Sequence, residues 1–223
     1  MSVSPHPRQE YFRNRAETCR DPVAMGDWTT DDPEPKVAYE AYAAYRSGIW
    51  ESLEPSPGLR CLDAGCGAGA SLQGLEGQGM ALVGLDFCAG MLAQARRFVR
   101  GPRWALGEVT RIPFRSGSFD RVLASGVLQY LTQREARQAL IEFCRVCTPG
   151  GIVYVSNLQL GSPTHDGEET PSRLAPCTFF DPGFVAETLQ ASHPGSRVEM
   201  RACALQPVYP HVTLADARIR IPR

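Results

Sequence analysis

A glycine-rich loop that directly follows a short apolar run constrains this chain more than any other feature. Residues 61–70 read CLDAGCGAGA, with glycines at 65, 67 and 69. Glycine lets the backbone turn tightly and lets a ligand approach where a Cβ would intrude. In α/β proteins, ligands bind beyond the carboxyl ends of the strands, where such a loop leads into the N-terminus of a helix. The loop therefore predicts a ligand site after the first strand, and a tight turn without a ligand is the simpler alternative.

Short apolar runs alternate with amphipathic segments after residue 58, which is typical of parallel strands covered by helices on both faces. The predicted strands cover residues 59–63, 81–86, 103–106, 119–125, 152–157, 197–205 and 217–221, and the predicted helices cover 89–99, 132–147 and 181–190. Thr132 and Glu135 have capping-box spacing, and the run TPGG at 148–151 is expected to end that helix. We predict a doubly wound, mostly parallel, seven-stranded α/β sheet of Rossmann-like type with a C-terminal antiparallel hairpin.

Two regions do not follow this alternation of strands and helices. Helices are expected at 9–19 and 37–53, separated by a stretch rich in Asp, Pro and Thr, and a polar loop is expected at 158–180. We therefore predict a helical cap over residues 1–57, which covers the substrate, and an α/β domain over residues 58–223. Aromatic side chains in the cap are expected to pack on the sheet or line the pocket; they are Tyr11, Phe12, Trp28, Tyr39, Tyr42, Tyr45 and Trp50.

Charge and hydrophobicity exclude several classes of partner. The chain has 23 Lys+Arg against 24 Asp+Glu, so it lacks the excess of positive charge that binds nucleic acid unselectively. No apolar run approaches the ~20 residues of a membrane span. The first residues, MSVSPHPRQE, lack the apolar segment of a secretory signal. We expect a cytoplasmic protein that binds neither nucleic acid nor membrane.

The eight cysteines do not form a pattern typical of a metal site or a disulfide scaffold. They are spread along the chain, and the only CxxC, at 144–147, has no second pair and no histidine at ligand spacing. We therefore predict reduced, mostly buried thiols and no bound metal.

The ligand of the glycine loop is not decided by the glycines alone. Gly65, Gly67 and Ala70 also satisfy the loose dinucleotide fingerprint. Asp86, at the end of the second predicted strand, fits either a dinucleotide or another nucleoside, since both place ribose hydroxyls there. A carboxylate that caps the next helix is the alternative for Asp86.

Asp63 favours one of these ligands. The run LDAGCGAG at residues 62–69 resembles the first motif of the class I S-adenosylmethionine-dependent methyltransferases, and the resemblance covers residues 59–157. It implies that Asp63 and the backbone of the loop hold the amino and carboxylate groups of the cofactor's methionine part. An acid suits an ammonium group there, whereas it would repel the pyrophosphate of a dinucleotide.

Later segments resemble the same family in the same order. Residues 84–92 resemble its D-x-S-x-x-M-L element, with Cys88 where serine is common, and residues 107–109 resemble its adenine-binding loop. The resemblance implies that Asp86 binds the ribose hydroxyls, that the adenine contacts come from both segments, and that Ser125 faces the methyl group. The implied cofactor-binding residues are Asp63, Gly65, Cys66, Gly67, Gly69, Asp86, Phe87, Met91, Glu108, Val109 and Ser125.

The chemistry of methyl transfer needs alignment above all, and a base only where the nucleophile is protonated. Many relatives carry histidine in the segment matching residues 127–131, where this chain has Gln129 and Tyr130. These two residues and His165 are the catalytic candidates, although Tyr130 also fits a core aromatic and His165 a solvated loop residue. We predict methyl transfer from S-adenosyl-L-methionine to a small-molecule acceptor by in-line displacement. The alternatives are a non-catalytic sensor or partner subunit that binds the cofactor, and an NAD(P)-dependent oxidoreductase.

Overall fold

The computed structural model describes residues 7–18, 35–160, 178–202 and 213–223. Its helices are α1 (Pro7–Thr18), α2 (Pro35–Leu53), α3 (Ala89–Phe98), α4 (Gln133–Val146) and α5 (Phe184–Ser192). Its strands are β1 (Arg60–Ala64), β2 (Ala81–Asp86), β3 (Arg103–Leu106), β4 (Phe119–Ser125), β5 (Cys147–Leu160), β6 (Arg197–Ala202) and β7 (Thr213–Arg220). Short 3-10 turns occur at Glu76–Gln78 and Leu128–Tyr130.

The strands form one sheet in the order β3-β2-β1-β4-β5-β7-β6. The five strands from β3 to β5 are parallel, and β7 is antiparallel to both β5 and β6. The predicted fold class is therefore confirmed. The strand order reverses between β1 and β4, and ligands of such sheets bind at this switch point, beyond the carboxyl ends of the strands.

Helices cover both faces of the sheet because successive strand residues point to opposite sides. On one face, α4 and α5 pack on alternate residues such as Leu62, Val122 and Val153. On the other face, α2 and the segment after β1 pack on the residues between them, including Cys61 and Leu123. The predicted capping box at the start of α4 is present, with reciprocal bonds between Thr132 and Glu135.

Helix α4 ends at Val146, one residue before its predicted end, but other local predictions are wrong. Strand β5 begins at Cys147 instead of residue 152, because Cys147 pairs with Phe119. Strand β5 also continues past 157 to Leu160, because after an irregularity its end pairs with the start of β7. No α-helix follows the glycine loop; residues 68–75 form turns, and Trp50 of α2 packs so closely on Gly74 that a Cβ there would lie 2.5 Å from its ring.

Both helices of the predicted cap pack against the rest of the chain. Arg121 donates to the backbone oxygens of Leu53 and Glu54 at the end of α2, and Arg218 donates to that of Ser52 at 2.9 Å. Helix α1 lies on α3. The domain boundary at residue 57 stays a prediction. The roles of Tyr39, Tyr42 and Trp28 also stay predictions, because these side chains lie outside the described part of the structure.

Among the described helices, none combines the length and apolar character that crossing a bilayer requires. Within the same parts of the chain, no three metal-ligating side chains converge. The cysteines described there are free and buried; they are Cys61, Cys66, Cys88, Cys144 and Cys147. Burial raises the pKa of the Cys144 and Cys147 thiols to about 12, so the CxxC pair is protonated and unreactive at neutral pH.

Candidate functional site

A cavity lies at the switch point, beyond the carboxyl ends of β1, β2 and β4. It brings together the glycine loop, the end of β2, the loop after β3 and the turn after β4, with one helix of the predicted cap over them. Its lining residues are Arg8, Phe12, Gly65, Gly67, Asp86, Phe87, Gly107, Glu108, Val109, Gly126, Val127, Tyr130 and Leu131. Six of the predicted cofactor-binding residues are in this set: Gly65, Gly67, Asp86, Phe87, Glu108 and Val109.

Asp86 is held at the centre of the cavity by backbone donors. It is 6% exposed, and its two carboxylate oxygens accept from the N–H groups of Gly67 (2.9 Å) and Cys88 (2.8 Å). Burial raises the pKa of Asp86 to about 6, with the charge of Glu108 acting in the same direction and the N–H donors acting against it. Asp86 is thus ionised at neutral pH, and each oxygen keeps a lone pair for a ligand hydroxyl.

The glycine loop is shaped by close approaches that exclude larger residues. Gly65 has φ +81°, and a Cβ added there would lie 2.6 Å from a Val127 methyl group. Its N–H and that of Cys66 both donate to the Leu85 oxygen, which fixes the loop to β2. Gly69 instead packs against Trp104, and a Cβ added at Gly69 would lie 2.9 Å from the Trp104 ring. Cys66 and Gly69 therefore support the loop from outside the cavity lining.

Asp63, in β1, lies outside the cavity lining and has a strongly raised pKa. It is 1% exposed, and its Oδ2 has no hydrogen-bond partner among the described residues. Burial, with the negative charge of Asp86 second, raises the pKa of Asp63 to about 8. An unsatisfied buried carboxyl destabilises a fold, and such groups cluster at sites that bind or react.

The loop after β3 is positioned by a carboxylate and a guanidinium from α4. Glu142 accepts from the N–H of Ile112 at 2.7 Å, and Arg145 donates to the oxygens of Ile112 and Phe114. The Arg145 guanidinium lowers the pKa of Glu142 despite its burial. This pair holds Glu108 and Val109 at the cavity. Met91 lies outside the lining, 1% exposed beside Ala16 and Cys88.

Three hydroxyl groups meet at the ends of β4 and β5. Tyr45 of α2 donates to Ser156 at 2.7 Å, and its oxygen lies 3.2 Å from that of Ser125. Ser125 is next to Gly126, which lines the cavity. Tyr45 is 3% exposed, so the prediction that it packs on the sheet is confirmed, and its hydroxyl also reaches the edge of the site.

The catalytic candidates are placed differently from one another. Tyr130 lines the cavity, with its ring 5.1 Å from that of Phe12. Gln129 is 4% exposed outside the lining, and its backbone oxygen accepts from Thr178. His165 lies outside the described residues. Sequence reasoning missed Arg8, for which the only signal is its four-residue spacing from Phe12 on one helix.

The comparisons with known proteins agree with this geometry. Residues 62–155, from β1 into β5, match the sequence profile of the family described as methyltransferase domain. By this match, residues 62–155 form a methyltransferase domain. This domain is similar to the malonyl-[acyl-carrier protein] O-methyltransferase of Serratia marcescens, with 33% identity over 129 residues, covering 56% of this chain and 50% of that protein. The chain spans about half the length of the curated relatives it matches.

Solved structures share the fold of this methyltransferase domain over the whole chain. The [4+2]-cyclase SpnF superimposes with a TM-score of 0.74 at 17% identity, covering 99% of both chains. The geranyl diphosphate C-methyltransferase of Streptomyces coelicolor A3(2) superimposes with a TM-score of 0.72 at 13% identity, covering 100% of both chains. These similarities establish the fold, and the same fold carries different activities.

Proposed function

We propose that this protein transfers a methyl group from S-adenosyl-L-methionine to a small-molecule acceptor. One observation carries the proposal: two buried acids, Asp63 and Asp86, flank the glycine loop, and they differ in their hydrogen-bond partners and in their ionisation. Asp86 accepts one backbone N–H at each oxygen and is ionised, with acceptor capacity left on both oxygens for ribose hydroxyls. Asp63 has an unsatisfied oxygen that a cation would satisfy. A nucleoside that carries an ammonium group has both features.

The residues present fit this cofactor. The unsatisfied Oδ2 of Asp63 suits the ammonium group, and Gly65, where an added Cβ would clash with Val127, lines the cavity. Asp86 would hold the ribose hydroxyls. Phe87 would contact the adenine, with Met91 behind it, and the loop that carries Glu108 and Val109 would bind the adenine edge. Ser125, with Gly126 beside the cavity, would face the methyl group, while Cys66, Gly67 and Gly69 shape the loop.

When bound, the cofactor supplies a methyl group on a positively charged sulfur, which an acceptor displaces in line. The chain's own task is to align the acceptor and exclude water. Tyr130 is the catalytic candidate whose side chain lines the cavity, so we assign it the role of orienting the acceptor through its hydroxyl. Gln129 and His165 remain candidates for the acceptor side.

The acceptor itself is proposed only as a class. The Serratia relative is named for methylation of a malonyl group on a carrier protein, and the Streptomyces neighbour for methylation of geranyl diphosphate. The near-neutral charge of the chain supports a small acceptor over a nucleic acid. Buried free thiols support a cytoplasmic location. The SpnF neighbour keeps a second candidate open, a protein of this fold whose reaction is not methyl transfer.

Calorimetry with S-adenosylhomocysteine tests the cofactor assignment. We expect the wild type to bind it, and Asp86→Ala to bind about 100-fold more weakly, because charge-assisted hydrogen bonds to the ribose are lost. Asp120→Ala is the matched control, an acid paired with Arg60 away from the cavity. Binding of NADH in place of S-adenosylhomocysteine would refute the proposal. Transfer of a labelled methyl group to a metabolite extract separates an enzyme from a protein that only binds the cofactor.

A further inference from the structure

A second cavity lies between α2 and the strands at one end of the sheet, and we call it the α2–β7 pocket. Its volume is about 330 Å³, within the range of about 300–1,000 Å³ that cavities for small ligands enclose. None of the residues described in its walls also lines the cavity at the switch point, so it is a separate space of ligand size. Its walls include Tyr45, Gly48 and Glu51 of α2, Tyr154 of β5, and Asp216 and Arg218 of β7.

The α2–β7 pocket forms because α2 packs closely on β5 but reaches β7 only through a long side chain. Tyr154 of β5 packs among apolar residues of α2, including Ile49 and Leu53. Arg218 of β7 pairs with Tyr154, so its side chain lies on the same face of the sheet. It extends to α2, where its Nε donates to the Ser52 backbone oxygen at 2.9 Å. A polar side chain thus spans the gap between helix and strand, and it leaves space beside it.

Gly48 keeps the helix side of the pocket open. It lies inside α2, its φ is outside the left-handed region, and a Cβ added there would meet nothing within 4 Å. Neither the backbone conformation nor close packing therefore requires glycine at this position. Glycine also destabilises the interior of a helix relative to alanine. Because Gly48 lines the pocket, a larger side chain there would occupy the space of a ligand.

Carboxylates and tyrosine rings form much of the wall. Asp216, on the same face of β7 as Arg218, is 4% exposed and accepts from the Tyr154 hydroxyl at 2.8 Å. Glu51 is exposed, and it lines the pocket together with Tyr45. Carboxylates attract cations, and so do the faces of tyrosine rings. This part of the wall favours a positively charged ligand.

Two arginines also line the pocket, and both are bound by carboxylates. Arg201 donates twice to one oxygen of Glu199, at 2.7 and 3.0 Å. Arg218 forms an ion pair with Glu54 and lies 3.9 Å from Glu199. An anionic ligand would have to compete with these carboxylates for the guanidinium groups, whereas a cation would leave the ion pairs in place. The arginines therefore do not make this an anion site.

We propose that the α2–β7 pocket binds a small organic ammonium compound. Its positive charge would lie against Asp216, with the rings of Tyr45 and Tyr154 in the wall around it. Tyr45 donates to Ser156 and lies 3.2 Å from Ser125, so one side chain separates this ligand from the hydroxyl groups at the edge of the candidate site. The inference stands apart from the proposed function, because it needs no cofactor.

Ligand-observed NMR titrations of the full chain test the charge of the ligand. The probe is choline, and 3,3-dimethyl-1-butanol is its control, since it has nearly the same shape without the charge. We expect choline to bind with a Kd on the order of 1 mM and the neutral alcohol to bind at least about tenfold more weakly.

Variants of the wall test the position of the site. Gly48→Leu should weaken choline binding at least about tenfold by filling the pocket, whereas Ser47→Leu, which adds the same side chain at the exposed neighbouring position, should not. Asp216→Asn should weaken binding about tenfold by removing the buried charge. Asp86→Ala, which removes an acid from the cavity at the switch point, should leave choline binding unchanged. Gly48→Leu alters no buried polar group, so it tests the site even where Asp216→Asn does not fold, as thermal unfolding of each variant shows.

Four results would overturn the proposal. The first is a wild type that does not bind choline, and the second is equal affinity for choline and for the neutral alcohol. The third is an affinity for choline that Gly48→Leu leaves unchanged or that Ser47→Leu lowers equally. The fourth is a loss of choline binding in folded Asp86→Ala, which would place choline in the other cavity. Because no titration contains S-adenosylhomocysteine, failure here leaves the proposed function standing, and failure of the proposed function leaves this site standing.

Discussion

Replacing Asp63 by asparagine should make the protein more stable and unable to bind its cofactor. The reason is the pKa of Asp63, which burial and the charge of Asp86 raise from 3.8 to about 8. In the unfolded chain the carboxyl loses its proton near 3.8, whereas in the folded protein it keeps the proton up to about 8. Between these values the folded state holds one proton more than the unfolded state, so stability falls as pH rises.

The size of this effect follows from linkage. Each pH unit in that window costs about 1.4 kcal/mol of unfolding free energy. Between about pH 5 and about pH 7 the wild type should therefore lose ~3 kcal/mol relative to Asp63→Asn, and above about pH 8 the difference should stop growing. Asparagine cannot ionise, and whatever its amide costs in packing or hydrogen bonding does not depend on pH. The pH dependence of the stability difference between the two proteins therefore reports the ionisation of the Asp63 carboxyl alone.

Urea unfolding of both proteins at several pH values measures the slope. The matched control is Asp120→Asn, because the Arg60 guanidinium lowers the pKa of Asp120. That acid stabilises the folded state above its unfolded pKa, and the contribution is lost as pH falls through its lower folded pKa, the opposite sign. Its effect should stay below about 1 kcal/mol, since the pair is partly exposed. A difference between wild type and Asp63→Asn that does not change with pH would refute the reasoning, because Asp63 would then be ionised in the folded protein.

Three further predictions concern other parts of the site and its support. Gly65→Ala should lower the free energy of unfolding, measured with urea, by about 2 kcal/mol and abolish S-adenosylhomocysteine binding. Gly67→Ala should lower it less, because an added Cβ there has nothing within 4 Å. Equal losses of stability in the two variants would contradict this account of the loop. Arg121→Met should lower stability by about 1–2 kcal/mol by releasing backbone oxygens at the end of α2, and exposed Arg100→Met should not, as thermal unfolding would show. Binding of S-adenosylhomocysteine near neutral pH should release a proton from Asp63, seen as a dependence of the calorimetric enthalpy on the buffer; equal enthalpies in all buffers would speak against it.

Features encoded by neighbouring residues were predictable from the sequence. The predicted bounds of β2, β3 and β4 agree with the structure, because short apolar runs between turn residues mark buried strands. The capping box of α4 and the placement of Asp86 at the cavity depend on spacings of a few residues. The cofactor-binding half of the candidate site is of this kind.

Features that depend on distant parts of the chain were not predictable. The early start and late end of β5 follow from pairing with Phe119 and with β7, which lies some sixty residues further on. In the turns after the glycine loop, Trp50 packs closely on Gly74, a contact between distant segments that the local sequence pattern does not show. Arg8 reaches the cavity only because α1 docks on α3. The proposed acceptor side of the site depends on such contacts, and the sequence therefore does not identify the acceptor.

The backbone around Asp63 and Asp86 makes the pKa values of these two acids different. Both are buried, and the charge of Asp86 opposes the ionisation of Asp63. Asp86 receives two backbone N–H donors, whereas Asp63 receives none at Oδ2. With pKa values of about 8 for Asp63 and about 6 for Asp86, the pair carries one negative charge at neutral pH instead of two. The fold therefore avoids the cost of two adjacent buried carboxylates. In the proposed function, Asp63 ionises when the ammonium group of the cofactor binds, and a ligand without an ammonium group gains nothing from it. We therefore expect the site to select a nucleoside that carries an ammonium group over a dinucleotide.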